Sequence, residues 1–321
     1  MLPLQRAYHF VIKYKKYYTN YLLFGTGFCL LGYVFKDHNN EIIRLGFAGS
    51  IAQISTEFFF HPIDVINTNT KADLMTNLNA YQTTKRIWER DGFYGFWKGA
   101  SATYYGALIG GMIYFSTYKY FKNIFSHEDK KDNSIFIYFL SSVLGEFLFL
   151  IVYYPFDLIR TRMQTRRAQY DYKGVLDGFR SILKGSFLNF SRYPKLYVGC
   201  IPNFILNILN QSIMISVLES MRDYFILKRK LSSVNELTTL EYNICSILAG
   251  VISGGITNVL EVITIHNQLQ GSDFQFIQFM KAQGLRGISS GMMARITINT
   301  GHALILFYSV DVISKIYNVE L

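Results

Sequence analysis

The chain has 321 residues, half of them apolar and only 17% charged, and a formal net charge of +10 at pH 7. Such a composition excludes a disordered, strongly solvated chain and points to a membrane protein. The cations are not stacked on one amphipathic face, which argues against nucleic acid as a partner. The sequence offers no nucleophile–base pair, metal-ligand spacing or phosphate-cradling glycine loop, so neither an enzyme nor a cofactor is expected.

Residues 1–41 open the chain with Arg6, Lys13, Lys15 and Lys16 before the first acid, Asp37. A basic, acid-free start resembles a targeting presequence. Tyr18 to Phe35 is nevertheless apolar enough for one short span. The expectation is an added membrane or interfacial helix that touches lipid or another protein, in preference to a cleaved peptide or a disordered tail.

From residue 42 onward one pattern occurs three times, over 42–130, 131–232 and 233–321. Each copy begins with an apolar stretch rich in small residues: Gly46 to Gly49, Ser141 to Gly145, and Gly250 to Gly255. Small residues let helices approach closely in lipid. An acid follows in each copy, Asp64, Asp157 and Glu261, within Pro62-Ile-Asp-Val-Ile-Asn67, Pro155-Phe-Asp-Leu-Ile-Arg160 and Val259-Leu-Glu-Val-Ile-Thr264. Only the second copy holds both the proline and the base. Helices are expected over Tyr81 to Arg90, Tyr172 to Lys184 and Phe274 to Ala282, with Gly92 and Gly284 as stop signals. Then come Trp97-Lys98-Gly99, Tyr197-Val198-Gly199 and Ser290-Gly291, and a further apolar helix.

Each copy thus reads as helix, basic loop with a short helix, then helix, so that three copies give six spans. No span is a clean run of about 20 apolar residues. Isolated polar residues and glycines interrupt them, as in helices that line a cavity. The three loops between paired spans, 71–98, 166–198 and 271–290, hold fourteen Lys and Arg, against five in 123–133 and 226–240. By the positive-inside rule the first set faces the negative compartment. The abundant Tyr and Phe fit membrane-interface belts, or a compositional bias that also enriches Ile, Asn and Lys. Glu57 and Glu146 fall about 20° from the acids Asp64 and Asp157 on a helical wheel, which adds two carboxylates to the same face. Cys29, Cys200, Cys245 and the six histidines read as structural.

The Pro-x-Asp/Glu-x-x-Lys/Arg motif, repeated three times about 100 residues apart, resembles that of the mitochondrial carrier family. Asp91-Gly92 followed by Phe96 to Gly99 is similar to the family's matrix-helix signature, and the likeness runs from about residue 42 to 318. It implies an all-α membrane protein: a six-helix bundle with threefold pseudosymmetry in the mitochondrial inner membrane. It implies a matrix gate of Asp64, Asp157, Arg160 and Glu261. Gln164 and Gln268 would brace it, and Lys71 stands in the third brace position. It implies a second gate of Lys119, Lys122, Glu219, Arg222 and Asp311. Substrate-contact positions would be Gly106, Leu206 with Asn207, and Ile298 with Asn299. Cardiolipin would bind near Trp97, Lys98, Gly99, Tyr197 and Gly199, together with other inner-membrane lipids.

Counted along the chain, the matrix gate has three acids and one base and the second gate two acids and three bases, so neither gate is expected to close a full ring of pairs. Uncompensated carboxylates in a low-dielectric site cost several kcal/mol each. The contact positions carry no Lys or Arg, which argues against an anionic substrate. Two functions are expected. The first is a non-transporting accessory subunit of a respiratory-chain complex or supercomplex. The alternative is an active carrier for a neutral or cationic solute by alternating access.

Overall fold

The computed structural model describes residues 34, 38–73, 78–125, 134–165, 167, 170, 172–184, 190–230, 236–271 and 275–317; for 134–136, 138, 190, 192, 219 and 306–317 it describes the backbone alone. The expected N-terminal helix over Tyr18 to Phe35 therefore lies outside the described residues.

Asn40 starts the first long helix by accepting a hydrogen bond from the Ile42 amide (2.9 Å). That helix, α1, spans Glu41–Ala72 and contains Pro62. A reciprocal capping box between Asn79 and Gln82 begins α2, Ala80–Asp91. Gly92, at φ +65°, ends it, and a 3-10 segment Gly92–Trp97 leads to α3, Ala100–Phe125. The next unit repeats this order: α4 (Ser134–Thr165), α5 (Val175–Ile182), a 3-10 segment Phe190–Tyr197, and α6 (Cys200–Arg229). The third comprises α7 (Thr239–Gln270), α8 (Phe276–Ile288) and α9 (Met292–Tyr317). A Thr238–Glu241 capping box opens α7. The short helix of the second unit begins three residues later than expected, because Gly174 is fully extended (φ 172°). That of the third is broken at Gly284, at φ +58°, where a stop was expected.

Among the described residues the chain is all-α. By length and apolar composition Phe139–Thr165, Tyr193–Arg229 and Thr239–Gln270 suffice to cross a membrane. The six long helices form a closed ring. Each packs on its neighbours in chain order, α1 on α3, α3 on α4, α4 on α6, α6 on α7 and α7 on α9, and α9 returns to α1. The small-residue stretches make these contacts. A side chain at Gly49 would collide with the Phe115 ring, one at Gly145 would press on Tyr114, and one at Gly250 on the Thr300 backbone. Ser50 Oγ also donates across this seam to the Leu108 carbonyl (2.9 Å).

The glycine before each even-numbered span shows the threefold relation most directly. Gly99, Gly199 and Gly291 have φ of +79°, +83° and +66°. Each sits against the C-terminal half of the next repeat's first helix: Gly99 on Arg160, Gly199 on Asn267, Gly291 on Asn67 and Lys71. A Cβ would meet these atoms at 2.8–3.1 Å, so both backbone conformation and space require glycine.

Candidate functional site

The C-terminal halves of α1, α4 and α7 converge, and the three motif acids meet at the floor of a cavity of about 380 Å³. Arg160 on α4 reaches Asp64 of α1 (3.5 Å) and, one turn earlier in its own helix, Asp157 (2.6 Å). Gln164 Nε2 donates to Asp64 (2.8 Å) and Gln268 Nε2 to Asp157 (2.7 Å). In both cases the residue seven positions past one acid serves the acid of the preceding repeat.

The residue seven past Asp64 is Lys71. It is fully buried, and its ammonium is paired with Glu261 of α7. It thus completes the cycle with a cation where the other two repeats supply a carboxamide. Asn67, which stands where a base was expected, donates to the same carboxylate (3.2 Å), and Arg295 of α9 approaches it at 3.2 Å. Three carboxylates are therefore accompanied by three cations, Arg160, Lys71 and Arg295. The expectation of a single base is corrected: the charge missing from position 67 is supplied one turn later in the same helix, and a second comes from α9. Thr264, at the third base position, returns its hydroxyl to the Leu260 carbonyl (2.9 Å), so Asp157 relies on Gln268 and on Arg160 of its own helix.

A second ring lies below the first. The residue five past each acid binds the backbone carbonyl of the residue seven past the acid of the next repeat. Asn69 Nδ2 donates to Gln164 O (3.1 Å), Arg162 Nε to Gln268 O (3.1 Å), and His266 Nε2 to Lys71 O (3.0 Å). The Gln270 carboxamide lies within hydrogen-bond distance of the remaining His266 nitrogen (3.2 Å). These bonds satisfy carbonyls at helix ends that would otherwise be buried without partners.

Lys71 and Arg295 as cations beside Glu261, Asn67 as its donor, and the lower ring were not expected from the sequence. Arg295 left a signal: it is an isolated charge in an apolar span, one turn before Ile298.

Of the contact positions, Leu206, Asn207, Ile298 and Asn299 line the cavity, as do Glu57 and Glu146. Asn207 Nδ2 donates to Glu146 (2.8 Å), Gln53 to Glu57 (3.3 Å), and Asn299 to Asn210 (2.6 Å). Gly106 is not among the described lining residues. It is buried between the repeats, where a Cβ would touch Tyr153 and Phe156 at 3.0–3.1 Å. At the other end of the helices Lys119 pairs with Glu41 (2.8 Å), Lys122 lies over the Tyr118 ring (5.7 Å), and Arg222 lies over Tyr242 while donating to its hydroxyl (2.9 Å). The side chains of Glu219 and Asp311 lie outside the described residues.

Trp97 packs on Phe58 (5.1 Å between ring centroids) and on His61, and Lys98 pairs with Asp91 (2.8 Å). The Tyr197 hydroxyl donates to Ile151 O (2.6 Å). Asp91 also accepts from Arg90 (2.7 Å). Partial burial opposes ionisation of Asp91, but the bonds from Lys98 and Arg90 outweigh it and hold its carboxyl below the usual value of 3.8.

Residues 38–129 and 131–229 match the family described as mitochondrial carrier protein. The chain belongs to the mitochondrial carrier family. It is 27% identical over 288 residues to the mitochondrial substrate carrier family protein W of Dictyostelium discoideum, covering 84% of this chain and 85% of that one. It is 24% identical to mitochondrial phosphate carrier protein 1 of Arabidopsis thaliana, over 78% of this chain and 80% of the relative. Mitoferrin of Dictyostelium discoideum is 26% identical over 42% of this chain and 46% of its own length. A mitochondrial carrier needs several membrane crossings, and the long helices and cavity described above suit that.

Proposed function

We propose that this chain is a working solute carrier of the mitochondrial inner membrane that moves a neutral or cationic solute by alternating access. The observation that carries this reading is the pairing of Lys71 with Glu261, which replaces the base lost at Asn67 and, with Arg160 and Arg295, gives three cations to the three motif acids. A ring of paired charges can separate and re-form as the cavity changes its open side, whereas unpaired buried carboxylates would resist both states. Above the ring the cavity holds Glu57 and Glu146 and carboxamides, with no cation at the contact positions, which suits a neutral or positively charged solute. Cardiolipin and other inner-membrane lipids are its proposed surroundings, with Lys98 held in place by Asp91 near one aromatic-x-glycine turn.

The test is exchange of radiolabelled solutes by purified protein in liposomes, beside a family member with intact motifs. Uptake of a neutral or cationic solute that Arg160→Ala abolishes supports the proposal. Silence across a broad panel, with the control active, defeats it.

A specific observation favours a second reading, a non-transporting accessory subunit of a respiratory-chain complex. The cross-repeat partner of Asp157 is the neutral Gln268, and two of the described cations at the opposite end, Lys119 and Arg222, engage Glu41 of α1 and Tyr242 of α7. A bundle stable without a complete gate keeps its fold without needing to switch.

A further inference from the structure

The two acids above the ring differ in their surroundings. Glu57 accepts from Gln53 and lies within electrostatic reach of Arg160, Asp64 and Asp157, so it belongs to the charge system of the floor. Glu146 does not. The described group that contacts its carboxylate is the Asn207 amide, on Oε1, and no described cation lies within ion-pair distance. The two arginines of the cavity are engaged elsewhere, Arg160 with Asp64 and Asp157, and Arg295 with Glu261.

Aromatic rings line the same cavity. Tyr114 of α3 lies within electrostatic reach of Glu146 and hydrogen-bonds with Ser142. The Tyr114 ring meets Phe149 edge-on at 6.3 Å, and Phe149 stacks on Tyr153 at 4.6 Å. All three rings and Glu146 line the same cavity. The rings are held where they are: Tyr114 rests on Gly145 and Phe149 on Gly110, at positions where a larger residue would displace them.

This carboxylate has one neutral donor, shares its cavity with aromatic rings inside a membrane span, and has no positive partner among the described residues. An ammonium group satisfies both parts: it donates to the carboxylate and meets the negative faces of the rings. We infer that Glu146, with Asn207, Tyr114 and Phe149, forms the binding subsite for an organic solute bearing an ammonium group. This deepens the carrier reading and rests on it for transport, though not for binding.

The experiment measures thermal unfolding of the full chain in detergent with L-lysine, L-ornithine, L-arginine, spermidine or choline. L-norleucine and 3,3-dimethylbutanol serve as uncharged partners of matched shape. At saturating concentration at least one cation is expected to raise the midpoint by about 2–4 °C, and its uncharged partner by much less. Glu146→Gln is expected to weaken that cation about tenfold or more, and Glu146→Asp to retain part of the effect. Should Glu146→Gln lose its fold, Tyr114→Leu provides the second variant, with a several-fold loss expected. No shift with any of the five cations overturns the subsite. So does equal stabilisation by the uncharged partners, or a cation shift indifferent to Glu146→Gln and Tyr114→Leu. If Glu146→Gln spares cation binding yet removes the dependence of exchange on a pH gradient, Glu146 is a proton site and the subsite is overturned. The same solutes are then offered to liposomes. Binding without exchange retains the subsite and defeats the carrier reading, while exchange of a neutral solute without cation binding does the reverse.

Discussion

Lys71 shows how one side chain alters a charge count. Buried and without Glu261, its ammonium would be strongly destabilising, as would the carboxylate without it. Lys71→Ala leaves Glu261 with Arg295 and Asn67, so the expected loss is about 2–3 kcal/mol, short of that for an isolated buried charge. A double-mutant cycle of Lys71→Ala and Glu261→Ala, followed by thermal unfolding in detergent, should give a coupling above about 1 kcal/mol. Additive losses would show that the two side chains do not form a pair. Asp91 makes a second residue-scale case, outside the membrane-spanning helices. Its carboxyl is held below 3.8 in the folded chain. The stability it contributes is therefore fully present above that value and lost as pH falls through the lowered folded value. Asp91→Asn should cost about 1 kcal/mol near neutral pH, a modest figure because this turn is near solvent. The gap from the wild type should shrink in strong acid; a constant gap at every pH would mean that the bonds to Arg90 and Lys98 are not the source.

At the scale of elements, the joints between repeats are glycines pressed on a neighbouring helix. Gly291 and Gly92 share a positive φ, of +66° and +65°, but a Cβ at Gly291 would strike Asn67 and Lys71, whereas one at Gly92 would meet nothing within 4 Å. Gly92→Ala should therefore cost only the backbone strain, about 1–3 kcal/mol, because φ +65° with ψ −157° is a region that almost only glycine adopts. Gly291→Ala should cost about 1–3 kcal/mol more, because it also displaces Lys71. Unfolding midpoints of the two variants check this, and equal losses would remove the inferred contact between α1 and the start of α9. The repeat pattern made these glycines legible as landmarks, because a left-handed turn before each even-numbered span leaves a fixed residue type at a fixed distance. The lower ring of Asn69, Arg162 and His266 was not legible. Three different side chains do the same work there, and what unites them is the carbonyl they reach rather than their chemistry.

For the whole molecule, the question is whether a balanced ring means transport. Blue-native electrophoresis of mitochondria, with liposome exchange beside it, separates the two functional readings. A carrier should migrate as a free species and exchange solute. Co-migration of most of the chain with a respiratory complex, together with silent liposomes, would favour the accessory role. The third repeat departs furthest from the motif, with Val259 for proline and Thr264 for the base, yet α7 keeps its place in the ring of helices because its glycines and Gln268 retain their contacts.

Sequence alone determined the triplicated pattern and the positions of the three motif acids and Arg160, because helical period and repeat spacing are properties of one chain read in order; Gln164 and Gln268 came from the family resemblance. It also placed Glu57 and Glu146 on the faces that line the cavity, since a helical wheel needs no partner. Only the tertiary structure decided the electrostatics. Which cation neutralises Glu261 depends on how deeply α1 and α9 pass α7, and Coulomb energy follows distance through space between residues 190 and 34 positions apart in the chain. Gly106 went astray for the same reason: its turn of α3 rests on Tyr153 and Phe156, and the cavity begins beyond them.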